Sequence, residues 1–526
     1  MRPGSAPARH VQPGDSRRPS SRALNVAAVC SGGLVDGSGR TALFHLRRDG
    51  RAERITFDAL RANSARLAHV LSARGIRRGD RLGILLPQGP EALLAVLAAL
   101  RLGAIAVPFA RSLPPEGLAV RLRHAGCAGL VTDAAGMPAL AAIRHRLPAL
   151  RLVFCADGAA AGALSLWQEM ERASTDFPAL ATDAGAPALL LYGATPRGVL
   201  HAHRALSGHV PGLREGQLLW APGDWAGRGG LLDAVLPALG RGVPVLTLAT
   251  EGIEPERALR ILARGDIGAA VLPAAALRRM RDAVTSRPIQ RLPALATFDG
   301  PLDADLRDAF GASVVEAHAL PECGVIAATG PDDDMQPPGS VGRAVPGRRI
   351  AVLGPDGMPL PAGQSGAIAL RRPDPGIFLG YWQDPAATAA AFRGPWLLTG
   401  ESGTLDTEGR LSPLTQHAAP EDAEAAHAAV ERCLRQHPAV ATAALIGAAE
   451  AASLGEATAI VIPSPGARPG PDLAAELRDF LRARLAGDQC PRRVAFAAAL
   501  PGDLAGPTPA QALGRAVGTG AYGAEG

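Results

Sequence analysis

The sequence contains no lysine, so all 54 residues of the Lys/Arg class are arginine. Arginine stays protonated in proteins, and its planar guanidinium does not replace the compact lysine ammonium at a tight site. The absence excludes a lysine nucleophile, a Schiff base and a lysine anion clamp anywhere in the 526 residues. Arginine and histidine are therefore the only basic side chains available to any site.

Aromatic residues are also scarce, at 4% of the chain, and the net charge is only +5. The arginines are scattered, and no basic stripe is interleaved with aromatic side chains. Nucleic-acid interfaces combine clustered positive charge with such side chains. The composition therefore predicts that nucleic acid is not a partner.

Cysteine pairs and long apolar runs are missing as well. The six cysteines are far apart and form no CxxC motif, which indicates neither a zinc site nor a disulfide framework and predicts reduced thiols in a cytoplasmic protein. The most apolar stretch, Ala92 to Ala110, is interrupted by Arg101 and ends near Pro108, so no membrane span is expected. Residues 1–22 are rich in Arg, Pro and Ser without an apolar core, which predicts a disordered lead and no secretory signal.

What the sequence does contain is a globular composition with alternating strand and helix patterns. Apolar residues make up 47% and charged residues 20%, and the length predicts two or more domains. Arg81–Leu86, Pro90–Leu102 and Ala104–Val107 form a strand–helix–strand pattern, which predicts a βαβ unit in a parallel sheet. Phe57–Arg74 places apolar residues on one side and predicts an amphipathic helix that ends at Gly75.

The stretch from Pro187 to Val210 is the strongest candidate for chemistry. An apolar strand, Ala188–Tyr192, runs into a turn with Gly193 and Pro196, and a His- and Arg-rich segment of helical spacing follows. A strand, a glycine-bearing turn and a helix start can direct backbone N–H groups at a phosphate. An ordinary β-turn-α connection is the alternative that the spacing alone leaves open.

This stretch resembles the phosphate loop of the AMP-forming acyl-CoA synthetases, which belong to the adenylate-forming ligases. Gly198-Val199-Leu200-His201-Ala202-His203 is similar to the text after that loop in the acetate and medium-chain branch, and Gly79–Ala110 resembles the text before it. The resemblance runs from about Asn25 to Arg515. In the family these two histidines follow the loop without binding a metal, so we interpret His201 and His203 as structural.

The resemblance implies an α/β fold, with a large multi-layer α/β N-terminal domain and a small α+β C-terminal domain. We place the N-terminal, AMP-binding-like domain at residues 23–408, the hinge at 409–416, the small domain at 417–516 and a flexible tail at 517–526. The implied reaction joins a small-molecule carboxylic acid to CoA, with ATP converted to AMP and pyrophosphate. Expected ligands are therefore ATP or AMP, Mg²⁺ and CoA, and the oligomeric state stays open.

Site residues follow from the family motifs, position by position. The phosphate loop implies nucleotide contacts from Gly193, Thr195, Arg197 and Gly198. His318-Ala319-Leu320-Pro321-Glu322 resembles the adenine motif Y-G-x-T-E, whose Glu lies near Mg²⁺. Thr399-Gly400-Glu401 resembles the ribose motif T-G-D, which makes Glu401 a ribose ligand. A solvated Arg197 and a surface Glu322 are the alternatives.

Several motifs depart from the family together. The phosphate loop is shorter, Pro321 replaces the motif Thr, the hinge reads Ser412–Gln416 without its usual Arg and carboxylate, and Pro507 stands where the adenylation lysine belongs. No catalytic residue of the family is therefore intact. Two hypotheses stay open: an acyl-CoA synthetase that is impaired or inactive, and a non-catalytic relative that binds a nucleotide, an acyl ligand or a protein partner.

Overall fold

The computed structural model describes most of the chain. The described residues are 24–31, 37–47, 50–193, 196–207, 217–249, 254–264, 266–286, 294–298, 309–310, 314–330, 337, 339–413, 430, 433–434, 437–446, 458–464, 466–482, 491 and 493–496. The chain divides into two compact units, Met1–Gln416 and His417–Gly526. Within the described part, no helix has the length and apolar character needed to cross a membrane.

The strands of the first unit form three sheets. In chain order they are β1 (Thr41–Leu46), β2 (Ala52–Thr56), β3 (Arg81–Leu85), β4 (Ile105–Pro108), β5 (Gly129–Thr132), β6 (Leu152–Cys155), β7 (Leu164–Ser165), β8 (Pro187–Tyr192), β9 (Gly198–Ala202), β10 (Leu218–Trp220), β11 (Val245–Leu248), β12 (Ile267–Val271), β13 (Ala294–Thr297), β14 (Val314–Leu320), β15 (Gly324–Ala328), β16 (Arg343–Ala344), β17 (Ile350–Leu353), β18 (Gly366–Arg371), β19 (Gly380–Tyr381), β20 (Phe392–Arg393), β21 (Trp396–Leu405) and β22 (Leu411–Pro413).

Helices connect and cover these strands. They are α1 (Val26–Ser31), α2 (Phe57–Ala73), α3 (Pro90–Leu102), α4 (Pro115–Ala125), α5 (Met137–Ile143), α6 (Leu166–Glu171), α7 (Arg228–Gly230), α8 (Leu236–Gly240), α9 (Pro255–Leu262), α10 (Ala274–Ser286) and α11 (Pro385–Ala390). A π-helical turn, Leu231–Val235, joins α7 to α8. Short 3₁₀ turns occupy Arg144–Arg146 and His203–Ser207.

Two large sheets enclose a central helical layer. One has the order β19-β9-β8-β4-β3-β5-β6-β7, and the other β16-β15-β14-β13-β12-β10-β11-β1-β2. Buried residues of both sheets form one core with α1, α2, α3 and α8, while α4 and α5 cover the outer face of the first sheet and α9 and α10 that of the second. The predicted multi-layer α/β architecture is therefore confirmed.

Helix α3 shows why the central layer forms. Pro90 occupies its first turn, where a missing N–H costs nothing, and Gly103 ends it with a φ of 76°. Every residue except Glu91 and Leu102 is buried, as expected of a helix that is apolar on all sides and covered by two sheets. The buried Arg101 donates to the Phe177 carbonyl at 3.1 Å and to the Ser31 hydroxyl at 3.0 Å.

The βαβ prediction is also confirmed, because β3 and β4 are parallel neighbours joined by α3. A third sheet, β17-β18-β21-β20 with β22 beside β21, completes the described sheets of the first unit. The second unit contains β23 (Val440–Ile446), β24 (Thr458–Pro463) and β25 (Arg493–Phe496) in one sheet, together with α12 (Pro471–Arg482). This small α+β unit agrees with the prediction from the sequence.

Candidate functional site

The segment after the candidate phosphate loop is a strand where the sequence predicted a helix. Strands β8 and β9 are antiparallel, and Tyr192 lies opposite Gly198, so residues 193–197 close a β-hairpin. The prediction of a helix start at His201 is therefore wrong, because His201 lies within β9. The reason lies far along the chain: β19 pairs with the second edge of β9 and holds it as an inner strand.

The hairpin places the predicted loop residues differently from one another. Gly193 and Arg197 are exposed, and Arg121 Nη2 donates to the Gly193 carbonyl at 3.0 Å. Gly198 is buried at the start of β9, where a Cβ would lie 2.8 Å from a Leu190 methyl and 3.1 Å from Trp382. The absence of a side chain at Gly198 therefore permits close packing of the strand. Thr195 lies outside the described residues.

Arg197 and Glu322 meet at a side chain that the sequence analysis did not assign to the site, Tyr381. The Arg197 guanidinium lies over the Tyr381 ring, 5.0 Å from its centroid. The Tyr381 hydroxyl donates to Glu322 Oε1 at 2.8 Å. A cation and a carboxylate are thus brought together at the base of the hairpin turn, and we call these three residues the Arg197–Tyr381–Glu322 cluster.

Backbone hydrogen bonds hold the cluster where the two large sheets approach each other. Glu322 lies in the turn between β14 and β15, and its carbonyl accepts from Phe378 N–H at 2.7 Å. Four residues later along the chain, Trp382 N–H donates to the Gly198 carbonyl at 2.8 Å. The segment 378–382 therefore bridges the Glu322 turn of one sheet and the hairpin of the other.

The Tyr381 hydroxyl is held in its neutral form. Burial and the adjacent Glu322 carboxylate, which is also its hydrogen-bond partner, raise the Tyr381 pKa, while Arg197 opposes the shift. Because the neutral phenol keeps its proton, its O–H can donate a hydrogen bond. The bond that it donates to Glu322 Oε1 occupies one lone pair of that carboxylate oxygen.

Glu322 fits the Mg²⁺ that the family resemblance implies. Among the described residues, no three His, Cys, Asp or Glu side chains gather as a protein metal cage. Mg²⁺ commonly takes one or two protein carboxylates and completes its shell with substrate phosphates and water. One half-buried carboxylate beside an arginine is that kind of donor set, and the bound metal would neutralise phosphate charge there.

The predicted ribose ligand, Glu401, is buried and bonded to a protein side chain. It lies in β21 after Gly400, whose φ is 80°, and is 2% exposed. His318 Nε2, in β14 and 5% exposed, donates to Glu401 Oε2 at 2.5 Å. The structure therefore joins two positions that resemble separate adenine and ribose motifs.

A buried ion pair, Arg228 with Asp233, lies next to the turn that contains Glu322, and it was not predicted from the sequence. Arg228 Nε donates to both Asp233 carboxylate oxygens, at 3.1 and 2.9 Å, and Arg228 Nη1 donates to His201 Nδ1 at 2.9 Å. The π-helical turn after α7 contains Asp233, and such turns are frequent at functional sites. Gly324, with a φ of 75°, admits the guanidinium: a Cβ there would lie 2.6 Å from Arg228 Nε.

The two histidines behave as structural groups. Burial and then Arg228 lower the pKa of His201 well below 6.5, and burial lowers that of His203 to about 4. His203 Nδ1 accepts from Val26 N–H at 3.2 Å, as His201 Nδ1 accepts from Arg228. Both rings are therefore neutral acceptors inside the core, which supports the structural interpretation.

Some predicted residues lie beyond what can be placed. Pro507 and hinge residues 414–416 are outside the described part of the chain, whereas Ser412 and Pro413 belong to β22. The signal for Tyr381 was present in the sequence, since Gly376–Phe392 resembles the family text, but that text alone does not reveal the pairing of β19 with β9. His318 stands in the segment that resembles the adenine motif, but the sequence does not indicate that it pairs with Glu401, or that Arg228 pairs with Asp233.

Comparison with known protein families identifies relatives over most of the chain. The AMP-binding enzyme family matches residues 36–382, and the AMP-binding enzyme C-terminal domain matches residues 429–505. The human mitochondrial acyl-coenzyme A synthetase ACSM3 is 24% identical over 508 residues, covering 89% of this chain and 84% of its own. The long-chain-fatty-acid–CoA ligase FadD13 of Mycobacterium tuberculosis is 28% identical over 469 residues, covering 85% and 90%.

Solved structures show the same fold. The Brucella canis acyl-CoA synthetase superposes with a TM-score of 0.68 at 26% identity, covering 91% of each chain. The ATP-bound MatB of Rhodopseudomonas palustris, at 24% identity, has a TM-score of 0.65 over 91% of this chain and 96% of its own, and speaks for the fold alone. With the family match spanning well over half of its residues, the chain belongs to the AMP-binding enzyme family, and the relatives that it resembles include acyl-CoA synthetases.

Proposed function

We propose that this chain activates a carboxylic acid with ATP and passes the acyl group to CoA, with an adenylation step that is strongly impaired. The observation that carries the proposal is the Arg197–Tyr381–Glu322 cluster at the hairpin turn. It offers one cation for phosphate oxygens and one carboxylate for Mg²⁺. Arginine recognises phosphate through paired N–H donors, so it supplies a phosphate contact in a chain without lysine.

The impairment has two physical sources. Acyl adenylation depends on preorganised positive charge at the reacting phosphate, and losing one such group costs about 10²–10³ in rate. Pro507, at the position of the family's adenylation lysine, supplies no charge, and no other lysine exists to compensate. The segment 193–197 is also shorter in sequence than the family's loop, so it has fewer N–H groups and hydroxyls for phosphate oxygens.

A second candidate is a non-catalytic member that binds a nucleotide, an acyl ligand or a protein partner. The buried His318–Glu401 hydrogen bond favours it, because the carboxylate expected at the ribose is already bound to a protein donor. Nucleoside binding through Glu401 would then require that bond to open. We place both candidates in the cytoplasm, because the six cysteines are far apart in the sequence and form no CxxC motif, as is typical of reduced proteins.

Acid-dependent ATP–pyrophosphate exchange, measured on the full chain with a panel of carboxylic acids, separates the candidates. A slow exchange that needs both acid and Mg²⁺, and that falls further in Arg197→Gln and Glu322→Gln, supports the ligase. Exchange that stays at the no-enzyme level for every acid, together with calorimetric AMP binding, supports the non-catalytic member. Exchange unchanged in both variants would overturn the assignment of the cluster.

A further inference from the structure

Tyr381 is held on several sides independently of Arg197 and Glu322. Its N–H donates to the Thr388 hydroxyl at 2.9 Å, and the Phe378 ring meets its own ring edge-on with centroids 4.9 Å apart. Strand β19 also pairs Tyr381 with Val199 of β9. The ring therefore has one orientation that does not depend on a ligand.

The two ends of this fixed ring do different things. The aromatic face attracts the Arg197 guanidinium, at a distance within the range of a cation–π interaction. The hydroxyl orients Glu322 through a hydrogen bond. Opposite charges thus share one rigid spacer: Glu322 meets the hydroxyl, whereas Arg197 lies over the ring and also hydrogen-bonds to the hydroxyl.

We infer that Tyr381 is the positioning residue of the anion and metal site: its hydroxyl orients Glu322 toward a phosphate-bound Mg²⁺, and its ring orients Arg197 toward the same phosphates. The inference rests on the proposed function, which gives the cluster a polyphosphate to bind. A carboxylate that ligates a metal is commonly oriented by an outer hydrogen-bond donor, and removing such a donor costs 10- to 100-fold in metal affinity. The phenol occupies that place here.

The two parts of the residue can be separated by substitution. Tyr381→Phe removes the hydroxyl and keeps the ring, whereas Tyr381→Leu removes both. Tyr192→Phe is the matched control, since it deletes another largely buried tyrosine hydroxyl, one bonded to His124 at 2.9 Å and not to the cluster. Glu322→Gln removes the charge that the hydroxyl orients.

The test measures calorimetric binding of inorganic tripolyphosphate to the full-length protein, with Mg²⁺ and with a chelator. This probe needs no adenosine contact, so the His318–Glu401 bond does not influence it. For Tyr381→Phe we expect the gain in affinity due to Mg²⁺ to fall about 10-fold or more, with a smaller loss of metal-free affinity than in Tyr381→Leu, because the ring that Arg197 stacks on remains. Tyr381→Leu should lower the metal-free affinity as well, and Tyr192→Phe should match the parent.

A double-mutant cycle makes the inference specific. If the hydroxyl acts through Glu322, Tyr381→Phe should have no further effect on the Mg²⁺-dependent gain in a Glu322→Gln background. A parent-like gain in Tyr381→Phe, an additive double mutant, or no Mg²⁺-dependent gain in the parent would each overturn it. Failure of acid-dependent exchange with this coupling intact would instead remove only the proposed ligase activity.

Discussion

At the scale of single residues, Arg197 is the most direct test of the site. Its exposed guanidinium is held by an aromatic face, so its removal should affect ligands and not folding. We expect Arg197→Gln to weaken ATP binding by about 1.5–3 kcal/mol, which is roughly 10- to 160-fold, because a charge-assisted hydrogen bond contributes about that much. AMP, with its single phosphate, should lose less.

Calorimetric titration of both nucleotides measures the difference. Arg74→Gln is the control, since Arg74 is an exposed arginine bonded to Glu169 and distant in sequence from the hairpin. Equal losses for ATP and AMP, or none for either, would show that Arg197 does not contact the β- and γ-phosphates.

The sequence predicted which residues belong to the candidate site better than it predicted which side chains they contact. Glu322 and Arg197 were both predicted, and their convergence on Tyr381 follows from the pairing of β19 with β9. Glu401 was predicted to face ribose, and nothing in Thr399-Gly400-Glu401 indicates that His318 would reach it. Pairwise contacts between residues 59 or 83 positions apart depend on tertiary packing that no local pattern contains.

At the scale of elements, the turn between β14 and β15 packs against the buried ion pair of Arg228 and Asp233. Gly324 begins β15 with a φ of 75°, and a Cβ there would lie 2.6 Å from Arg228 Nε and 2.7 Å from Asp233 Oδ1. We expect Gly324→Ala to destabilise the protein by at least about 2 kcal/mol, from left-handed backbone strain plus displacement of a buried ion pair.

Gly409→Ala separates these two causes. Gly409 has the same φ of 75°, yet a Cβ there would meet nothing within 4 Å, so only the backbone strain of about 1 kcal/mol remains. Unfolding by urea compares the two variants. A Gly324→Ala protein no less stable than Gly409→Ala would contradict the close packing of Arg228 against the turn.

Helices and strands were predicted well where the local sequence pattern determines the secondary structure. They were predicted poorly where pairing with a strand distant in sequence determines it. Helix α3 was predicted with its observed ends, since a 13-residue apolar run begins at a proline and stops at a glycine. The segment from Gly198 to Ala202 reads as helix from its own spacing, but it is paired on both edges, with β8 and β19. Hydrogen bonding to two strands overrides weak helical preference.

At the scale of the whole molecule, the buried histidines predict how stability depends on pH. The folded pKa of His203 is about 4 and its usual value is 6.5, so between these values the unfolded chain binds more protons. Stability therefore falls as pH decreases through this window and is unaffected by His203 above it. His201, whose pKa is also lowered by burial, acts in the same direction.

We expect His203→Asn, which can still accept from Val26 N–H, to lose about 2 kcal/mol less stability than the parent between pH 7 and pH 5. Chemical denaturation at the two pH values measures this loss. His145→Asn, at an exposed histidine, is the control and should follow the parent. Parallel curves for His203→Asn and the parent would show that burial does not lower the pKa of His203 in the folded state.

The absence of lysine gives the whole chain a clean background for restoring one. If the missing charge limits adenylation, Pro507→Lys should raise acid-dependent pyrophosphate exchange by about 10²-fold. Ala505→Lys adds the same charge two positions away and should not. Acetylating the single side-chain amine should abolish the gain, and a gain shared by both variants would mean that added charge alone is responsible.

The pairing of β9 on both edges also bears on which insertions this chain could tolerate during evolution. Because β8 ends at Tyr192 and β9, which is paired with both β8 and β19, begins at Gly198, both ends of the connection 193–197 are fixed by the sheet, and residues inserted there would leave the strand pairing intact. Lengthening a loop between fixed ends costs little, about 0.6 kcal/mol for each doubling. The hairpin connection should therefore tolerate insertions and deletions, so that a longer glycine- and serine-rich loop could be gained or lost there without changes elsewhere in the fold.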